Sequence, residues 1–250
     1  MDLQLGGKTA LVTGASSGIG QAIARGLAAE GVKLCVAARR CELLEQFAKE
    51  VVAAGGLQPH VAVIDFLAEG APQRLAEEAL RNLGRVDILV NSAGAGFPLP
   101  VFAPEEKWVQ AMALNFTSRR QLTQALLPGM IEHKWGRIIH VTGGFEPGRI
   151  NAGFSGKAAL QAWSKGLSRE IGKYNITINS IAPGRILSEQ SRRRNSEEVR
   201  KEFSAREIPV GRWGEPAEFA CLAVFLASPI ASYITGAVLP VDGGMRRYAF

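Results

Sequence analysis

The densest chemistry in the sequence lies in Gly14-Ala15-Ser16-Ser17-Gly18-Ile19-Gly20, with Thr13 just before it. An apolar run, Thr9-Ala10-Leu11-Val12, leads into this stretch. After it Ile19, Ile23 and Leu27 recur every four residues. The pattern is a strand, a glycine-rich turn and a helix. A turn of this kind cradles phosphate. Glycine lets the backbone come close to the ligand, and the free N–H groups at the helix start face its negative charge. The spacing is G-x-x-x-G-x-G rather than the commoner G-x-G-x-x-G. A second group is basic: Arg192-Arg193-Arg194, with Arg185 and Arg200 close by. Nucleic-acid binding would call for aromatic residues interleaved with these, and there are none, so a solvated surface or an anion-steering loop is expected. His60, His133 and His140 make no metal-ligand spacing with one another or with the cysteines, and no metal is expected.

The elements that must position these residues alternate along the chain. Strands are expected at Lys8–Thr13, Lys33–Ala38, His60–Ile64, Val86–Val90, Gly136–Val141, Ile176–Ile181 and Ala237–Val241. Helices are expected at Gly18–Glu30, Cys41–Ala54, Ala71–Leu83, Pro104–Leu127, Phe154–Lys173 and Pro216–Ala227. This order argues for an α/β fold with a parallel, doubly wound sheet covered on both faces, its ligands at the C-terminal strand ends. The 250 residues and 47% hydrophobic content suit one domain spanning 1–250. No apolar run is long enough to cross a bilayer, and Met1-Asp2-Leu3-Gln4 does not read as a signal peptide. Cys35, Cys41 and Cys221 are odd in number and scattered, which fits reduced thiols and a cytoplasmic setting.

The chain resembles the short-chain dehydrogenase/reductase family over about Leu5 to Gly244. Thr13-Gly14-Ala15-Ser16-Ser17-Gly18-Ile19-Gly20 matches that family's T-G-x-x-x-G-I-G cofactor loop. Asn91-Ser92-Ala93-Gly94 matches its N-N-A-G turn, with Ser92 in place of the second Asn. Asn115 matches the helix Asn that helps hold a catalytic water, and Pro183-Gly184 the turn beside the nicotinamide. Ser188 stands where the family places a phosphate-binding Thr, with Ile186 between, and Val241-Asp242-Gly243-Gly244 matches the usual ending. The resemblance implies a Rossmann-type domain and a nicotinamide cofactor. At the end of the second strand, NAD-dependent relatives carry an Asp that holds the adenosine ribose. Here Ala38 removes that carboxylate, and Arg39 and Arg40 follow. An arginine pairs with a 2′-phosphate through two parallel N–H bonds, so NADP(H) is expected over NAD(H). Asp65-Phe66 resembles the family's pair beside the adenine; Asp65 also suits a helix N-terminus.

The match fails at one point. The family's signature is Tyr-x-x-x-Lys. Lys157 is in place, but four residues earlier stands Gly153. Tyr174, Tyr233 and Tyr248 are the only tyrosines, and none fits the standard position within one chain. The usual place of the catalytic Ser falls at Gly143, with Thr142 just before it, in a loop about three residues shorter than the family's. Three readings stay open. Thr142, Ser155, His140 or a water held by Lys157 replaces the proton donor in reduction of a small carbonyl. Alternatively the substrate is a C=C or iminium that needs no strong acid. Or the chain binds NADP(H) without redox turnover. Asn115, Thr142 and Lys157 are the candidate catalytic residues.

The segment 184–206 is expected to be a mobile lid, and its arginines favour an anionic substrate. Trp108, Met112 and Phe116 on one helix, and Leu160, Trp163, Leu167 and Ile171 on another, are apolar over more than one face. In similar proteins these helices pack against another subunit, so a homotetramer or dimer is expected, with no nucleic-acid or membrane partner.

Overall fold

The computed structural model describes residues 1–143 and 147–248, without the side chains of Gln190 and Arg194. Gly144–Glu146, in the loop where a catalytic hydroxyl was sought, and Ala249 and Phe250 lie outside the described residues, as does the Arg194 side chain of the lid cluster.

Seven parallel strands form one sheet in the order β3-β2-β1-β4-β5-β6-β7. They are β1 (Thr9–Thr13), β2 (Lys33–Ala38), β3 (His60–Val63), β4 (Ile88–Asn91), β5 (Gly136–Val141), β6 (Ile176–Pro183) and β7 (Val238–Val241). The central strands are buried along their length, as sequences such as Thr-Ala-Leu-Val-Thr require when both faces are covered. One face carries α1 (Gly18–Ala29), α2 (Cys41–Ala53) and α9 (Pro216–Ala227). The other carries α3 (Ala71–Leu83), α5 (Ser118–Glu132) and α6 (Ala152–Ile171). Gly26 brings α1 close to α9: a Cβ there would meet Val224 Cγ2 at 2.8 Å.

The long helix expected over Pro104–Leu127 is α4 (Glu105–Met112), then a π-helical turn at Ala113–Thr117, then α5. The extra residue in that turn falls around Asn115, and π turns of this kind commonly mark functional positions. Pro128 does not end the helix. Both Pro128 and Gln124 face solvent, so the carbonyl that the proline leaves without an N–H partner is in water. α6 begins at Ala152, two residues before the expected start, because Asn151 caps it and accepts from the Gly153 N–H at 3.0 Å. The segment 184–206 holds two helices, α7 (Glu189–Arg194) and α8 (Glu197–Glu207). No helix of the described residues is long and apolar enough to cross a membrane, and no described group of His, Cys, Asp and Glu could hold a metal. All three cysteines are free. Burial pushes the Cys35 thiol up to about 12.

His140 on β5 is fully buried, and burial, with Arg119 nearby, pushes it down to about 3. The unfolded chain therefore takes up a proton between about pH 6.5 and 3 that the native state refuses. Stability is lost as pH falls through that window, by about 1.4 kcal/mol per unit of difference. His140→Gln should flatten the fall in Tm between pH 6 and pH 4 relative to wild type. Parallel Tm curves for the two proteins would show that His140 is not responsible.

Candidate active site

A cleft of about 630 Å³ opens at the C-terminal ends of β1–β6. This is where the strand order turns back on itself in a doubly wound sheet. Its lining includes Gly14, Ser16, Ser17, Gly18, Ile19, Gly20, Arg39, Arg40, Asp65, Phe66, Ala93, Gly94, Thr142, Lys157, Pro183 and Ser188. The separate stretches singled out in the sequence thus share one cavity. Asn91, Asn115, Gly184 and Ile186 do not line it.

The glycine turn is built for close approach. Gly14 and Gly18 adopt left-handed φ values of 68° and 59°. A Cβ on Gly14 would meet the Ala93 backbone N at 2.8 Å. The start of α1 has no side-chain cap and no acidic residue in its first turn, so its N–H groups are free to face an anion. These features fit a dinucleotide pyrophosphate. Thr13 ties the turn to its neighbour: its Oγ1 donates to the Val90 carbonyl and accepts from the Ser92 and Ala93 N–H groups. Ser188 caps α7 and lies against Gly18, which would meet its Cβ at 3.3 Å. Its oxygen accepts from Ser191 N, which leaves the hydroxyl proton for a ligand.

At the adenosine end, Arg40 donates to Ser16 Oγ and Ser17 Oγ and pairs with Glu189 of α7 at 3.3 Å. Arg39 lines the cleft and has no hydrogen-bond or ion-pair partner among the described residues. Asp65 sits before α3 rather than at its N-terminus; its Oδ1 accepts from Leu67 N in a tight turn of its own.

At the other end, Lys157 is half-buried in the second turn of α6. Burial, and then the charge of Arg119, push its ammonium down to about 7. Thr142 is buried; its Oγ1 donates to the Ile181 carbonyl at 3.3 Å and accepts from Gln161 Nε2 at 2.9 Å. Asn115 is fully buried. Its Oδ1 accepts from Ala95 N and its Nδ2 donates to the Ala111 carbonyl, so the side chain clamps the loop after β4. Asn91 is buried behind the cleft, donating to Thr123 Oγ1 and hydrogen-bonded to His140 Nδ1. Gly184 packs on Asp242, whose Cα a Cβ would meet at 2.6 Å, and Ile186 bridges to Gly214. His140 lies in the core and Ser155 faces solvent; neither lines the cleft, and no tyrosine does.

Two features were missed in the sequence. Arg119 lines the cleft though only 2% exposed. The signal was an arginine one turn after Asn115, on a face otherwise made of Leu122, Thr123 and Leu126. The second is the loop from Ala95 to Phe97. It runs beside the start of α6, with Phe97 N donating to Asn151 Oδ1, Ala152 N donating to the Phe97 carbonyl, and Pro98 bridging to Asn151. A Cβ on Gly153 would collide with the Ala95 carbonyl oxygen and meet Phe97 N at 3.1 Å.

The comparisons with known proteins agree with this geometry. The family profile described as "Enoyl-(Acyl carrier protein) reductase" matches residues 14–246. The chain belongs to the short-chain dehydrogenase/reductase family. It is 35% identical over 250 residues to 3-oxoacyl-[acyl-carrier-protein] reductase FabG of Aquifex aeolicus, covering 98% of this chain and 100% of that one. A solved 7α-hydroxysteroid dehydrogenase complexed with NADH and 7-oxo glycochenodeoxycholic acid superposes with a TM-score of 0.92 at 34% identity. The match covers 100% of this chain and 98% of that one. L-sorbose reductase from Gluconobacter frateurii, complexed with NADPH and L-sorbose, gives 0.91 at 32% identity over 99% and 100% of the two chains.

The contact at Gly153 yields a test. Gly153→Tyr should not raise turnover and should lower Tm, because even a methyl group meets the Ala95 carbonyl. Gly153→Ala should already cost about 1–3 kcal/mol, the usual range for overpacking. A stable Gly153→Tyr protein with raised turnover would show that the loop yields.

Proposed function

We propose that this chain is an NADP(H)-dependent oxidoreductase acting on a small carbonyl or alcohol, and that it works without the family's tyrosine. One observation carries the reading. A single cleft holds two cations without a hydrogen-bond or ion-pair partner among the described residues, Arg39 beside the phosphate cradle and Lys157 at the strand ends. Ala38 places no carboxylate beside Arg39 to repel a 2′-phosphate, and Arg40 and Ser16 stand next to it. When bound, the cofactor supplies a hydride from nicotinamide C4. Reduction of a carbonyl then needs one proton at its oxygen. The Thr142 proton is already directed to Ile181, which supports Lys157 as the donor. Its ammonium gives a proton to the developing alkoxide and is recharged from solvent; the reverse steps serve oxidation. An acid near neutrality suits this task. Asn115 and Asn91 act by holding the strand ends.

The lid arginines diverge. Arg193 pairs with Glu189 over the cleft, Arg192 lines a second cavity, and Arg185 stacks on Phe203 at 4.6 Å. We propose one domain with a lid over 184–206. An anionic substrate is still our reading, with support reduced to Lys157 and Arg193. The apolar surface that includes Val109 on α4 supports a homotetramer or dimer, which light scattering decides. The free cysteines fit a cytoplasmic setting.

A second reading, cofactor binding without turnover, draws support from the backbone that fills the space beside Gly153. Screening carbonyl, enone and imine compounds by NADPH absorbance separates the two. Tight NADPH binding with silence across the panel would favour the second reading. Turnover confined to enones or imines would point to an acceptor that needs no acid at oxygen.

NADPH should bind more tightly than NADH. Arg39→Ala should weaken NADPH by roughly ten- to a hundredfold, the loss of a charge-assisted hydrogen bond, and leave NADH unchanged. A wild-type preference for NADH would overturn the assignment. For turnover, kcat/KM for carbonyl reduction should fall as pH rises through about 7, since the donor is the ammonium form. Lys157→Ala should lower kcat by about 10²–10⁴, and Thr142→Val by much less. A rate that is flat across neutral pH, or that survives in Lys157→Ala, would remove Lys157 as donor.

A further inference from the structure

Two arginines are buried in this chain without a carboxylate partner among the described residues, and their settings differ. Arg137 lies at the start of β5. It donates to the Ser228, Gly136 and Asn175 carbonyls, stacks at 4.5 Å over Trp135 and lines neither cavity. It fastens three segments of backbone at the end of the sheet away from the cleft. Arg119 reaches the opposite end of the sheet. Its Nε donates to the Ala93 carbonyl at 2.8 Å and its Nη1 to the Val141 carbonyl at 2.7 Å. The guanidinium thus spans the ends of β4 and β5, and Nη2 lies against Gly94 in the cleft wall. Burial pushes it down to about 10, which still leaves it charged at neutral pH.

Lys157 lines the same cleft, and its Cδ lies 3.4 Å from where a Cβ on Gly143 would stand, two residues past the Val141 carbonyl that Arg119 holds. The elements around it offer no counter-charge. β6 has no ionisable side chain. α4 carries Glu105, Glu106 and Lys107, all exposed at its far end. α6 itself adds Lys165, Arg169 and Glu170, also exposed. From β5 come Arg137, engaged elsewhere, and His140, which is buried and neutral. Glu146 lies outside the described residues. Of the carboxylates that line the cleft, Asp65 accepts from Leu67 N and Glu189 pairs with Arg40 and Arg193. Burial acts most on Lys157, and the charge of Arg119 adds to it. Of two like charges in a poorly solvated site, the one able to shed a proton does so. Arginine holds its charge there, whereas a buried lysine readily loses its own.

We infer that Arg119 is a positioning residue for this site: its positive charge, fixed to Ala93 and Val141 at the floor of the cleft, adds to burial in making Lys157 a proton donor where the family's hydroxyl acid is lacking. This rests on the reading of Lys157 given above. The family arrangement, in which a lysine acidifies a tyrosine, becomes one in which an arginine acidifies a lysine. Each turnover in the reductive direction moves one proton from the Lys157 ammonium to the substrate oxygen and leaves a neutral amine. Arg119 itself exchanges no proton.

The test reads Lys157 directly. The protein is labelled with ¹³Cε-lysine, and the Lys157 resonance is identified by its loss in Lys157→Arg. Its titration midpoint should lie near neutrality in wild type. It should rise by on the order of one pH unit in Arg119→Gln and Arg119→Met, and stay low in Arg119→Lys, which keeps the charge. The alkaline limb of kcat/KM should move with it. NADPH binding checks that each variant folds. An unchanged midpoint in the neutral variants would overturn the inference while leaving Lys157 as donor. A wild-type midpoint in the ordinary lysine range would overturn it without any variant. If the midpoint follows Arg119 but the rate profile does not, the charge coupling stands and the donor role falls.

Discussion

The loop after β4 is held by backbone packing that only glycines and small residues allow. Gly14 lies against Ala93, Gly94 against Arg119, and Gly153 against Ala95. None of these neighbours leaves room for a side chain. The loop's polar backbone atoms are taken by side chains from four separate elements. Thr13 receives the Ser92 and Ala93 N–H groups, and Asn115 that of Ala95. Asn151 receives that of Phe97, and Arg119 donates to the Ala93 carbonyl. Buried backbone groups need partners, and here they are supplied by residues from β1, the π turn, the α6 cap and α5. The phosphate cradle on one side of the loop and the reactive end of the cleft on the other therefore share one wall.

That wall also accounts for the chemistry of the site. With Ala95–Phe97 drawn over Gly153, the space beside that residue is filled by backbone. The Thr142 hydroxyl, which lines the cleft, is bonded on both sides by Ile181 and Gln161. Of the cations that line the cleft, Lys157 and Arg119 have no carboxylate partner among the described residues. Charge uncompensated at such a site is costly in the free protein. It is useful when negative charge develops on a substrate oxygen, because preorganised positive groups in a poorly solvated cleft act strongly.

Much of this was readable from the sequence, for identifiable reasons. The strands, the glycine turn and the Arg39-Arg40 pair are local patterns, and local patterns survive folding. The breaks came where a tertiary contact decides. Asn115 reads as part of a continuous helix, yet a wider turn is built around it so that its amide can clamp Ala95. Pro128 reads as a stop, but the carbonyl it orphans is in water. Ser118-Arg119-Arg120 carries two adjacent arginines that nothing local tells apart. Only the fold shows that Arg120 faces out, bonded to Gln124, while Arg119 is drawn inward by the carbonyls of Ala93 and Val141. Gly153 reads as a missing tyrosine, and no pattern in the sequence reports the backbone that lies against it.

The lid shows the same dependence at the other end of the cleft. Its arginines look like a uniform basic patch in sequence, yet Glu189 faces both Arg40 and Arg193. Arg40 is thereby drawn toward the serines of the glycine turn and the first helix of the lid, and Arg39 is left as the cation without a partner among the described residues. On the NADP(H) reading proposed above, Arg39 would be the arginine left to meet a 2′-phosphate, while Arg40 ties α7 to the glycine turn. Ser188 reinforces that tie, since it caps the lid helix and lies against Gly18 in one placement. α7 and the glycine turn therefore meet at two points, Ser188 against Gly18 and Glu189 against Arg40.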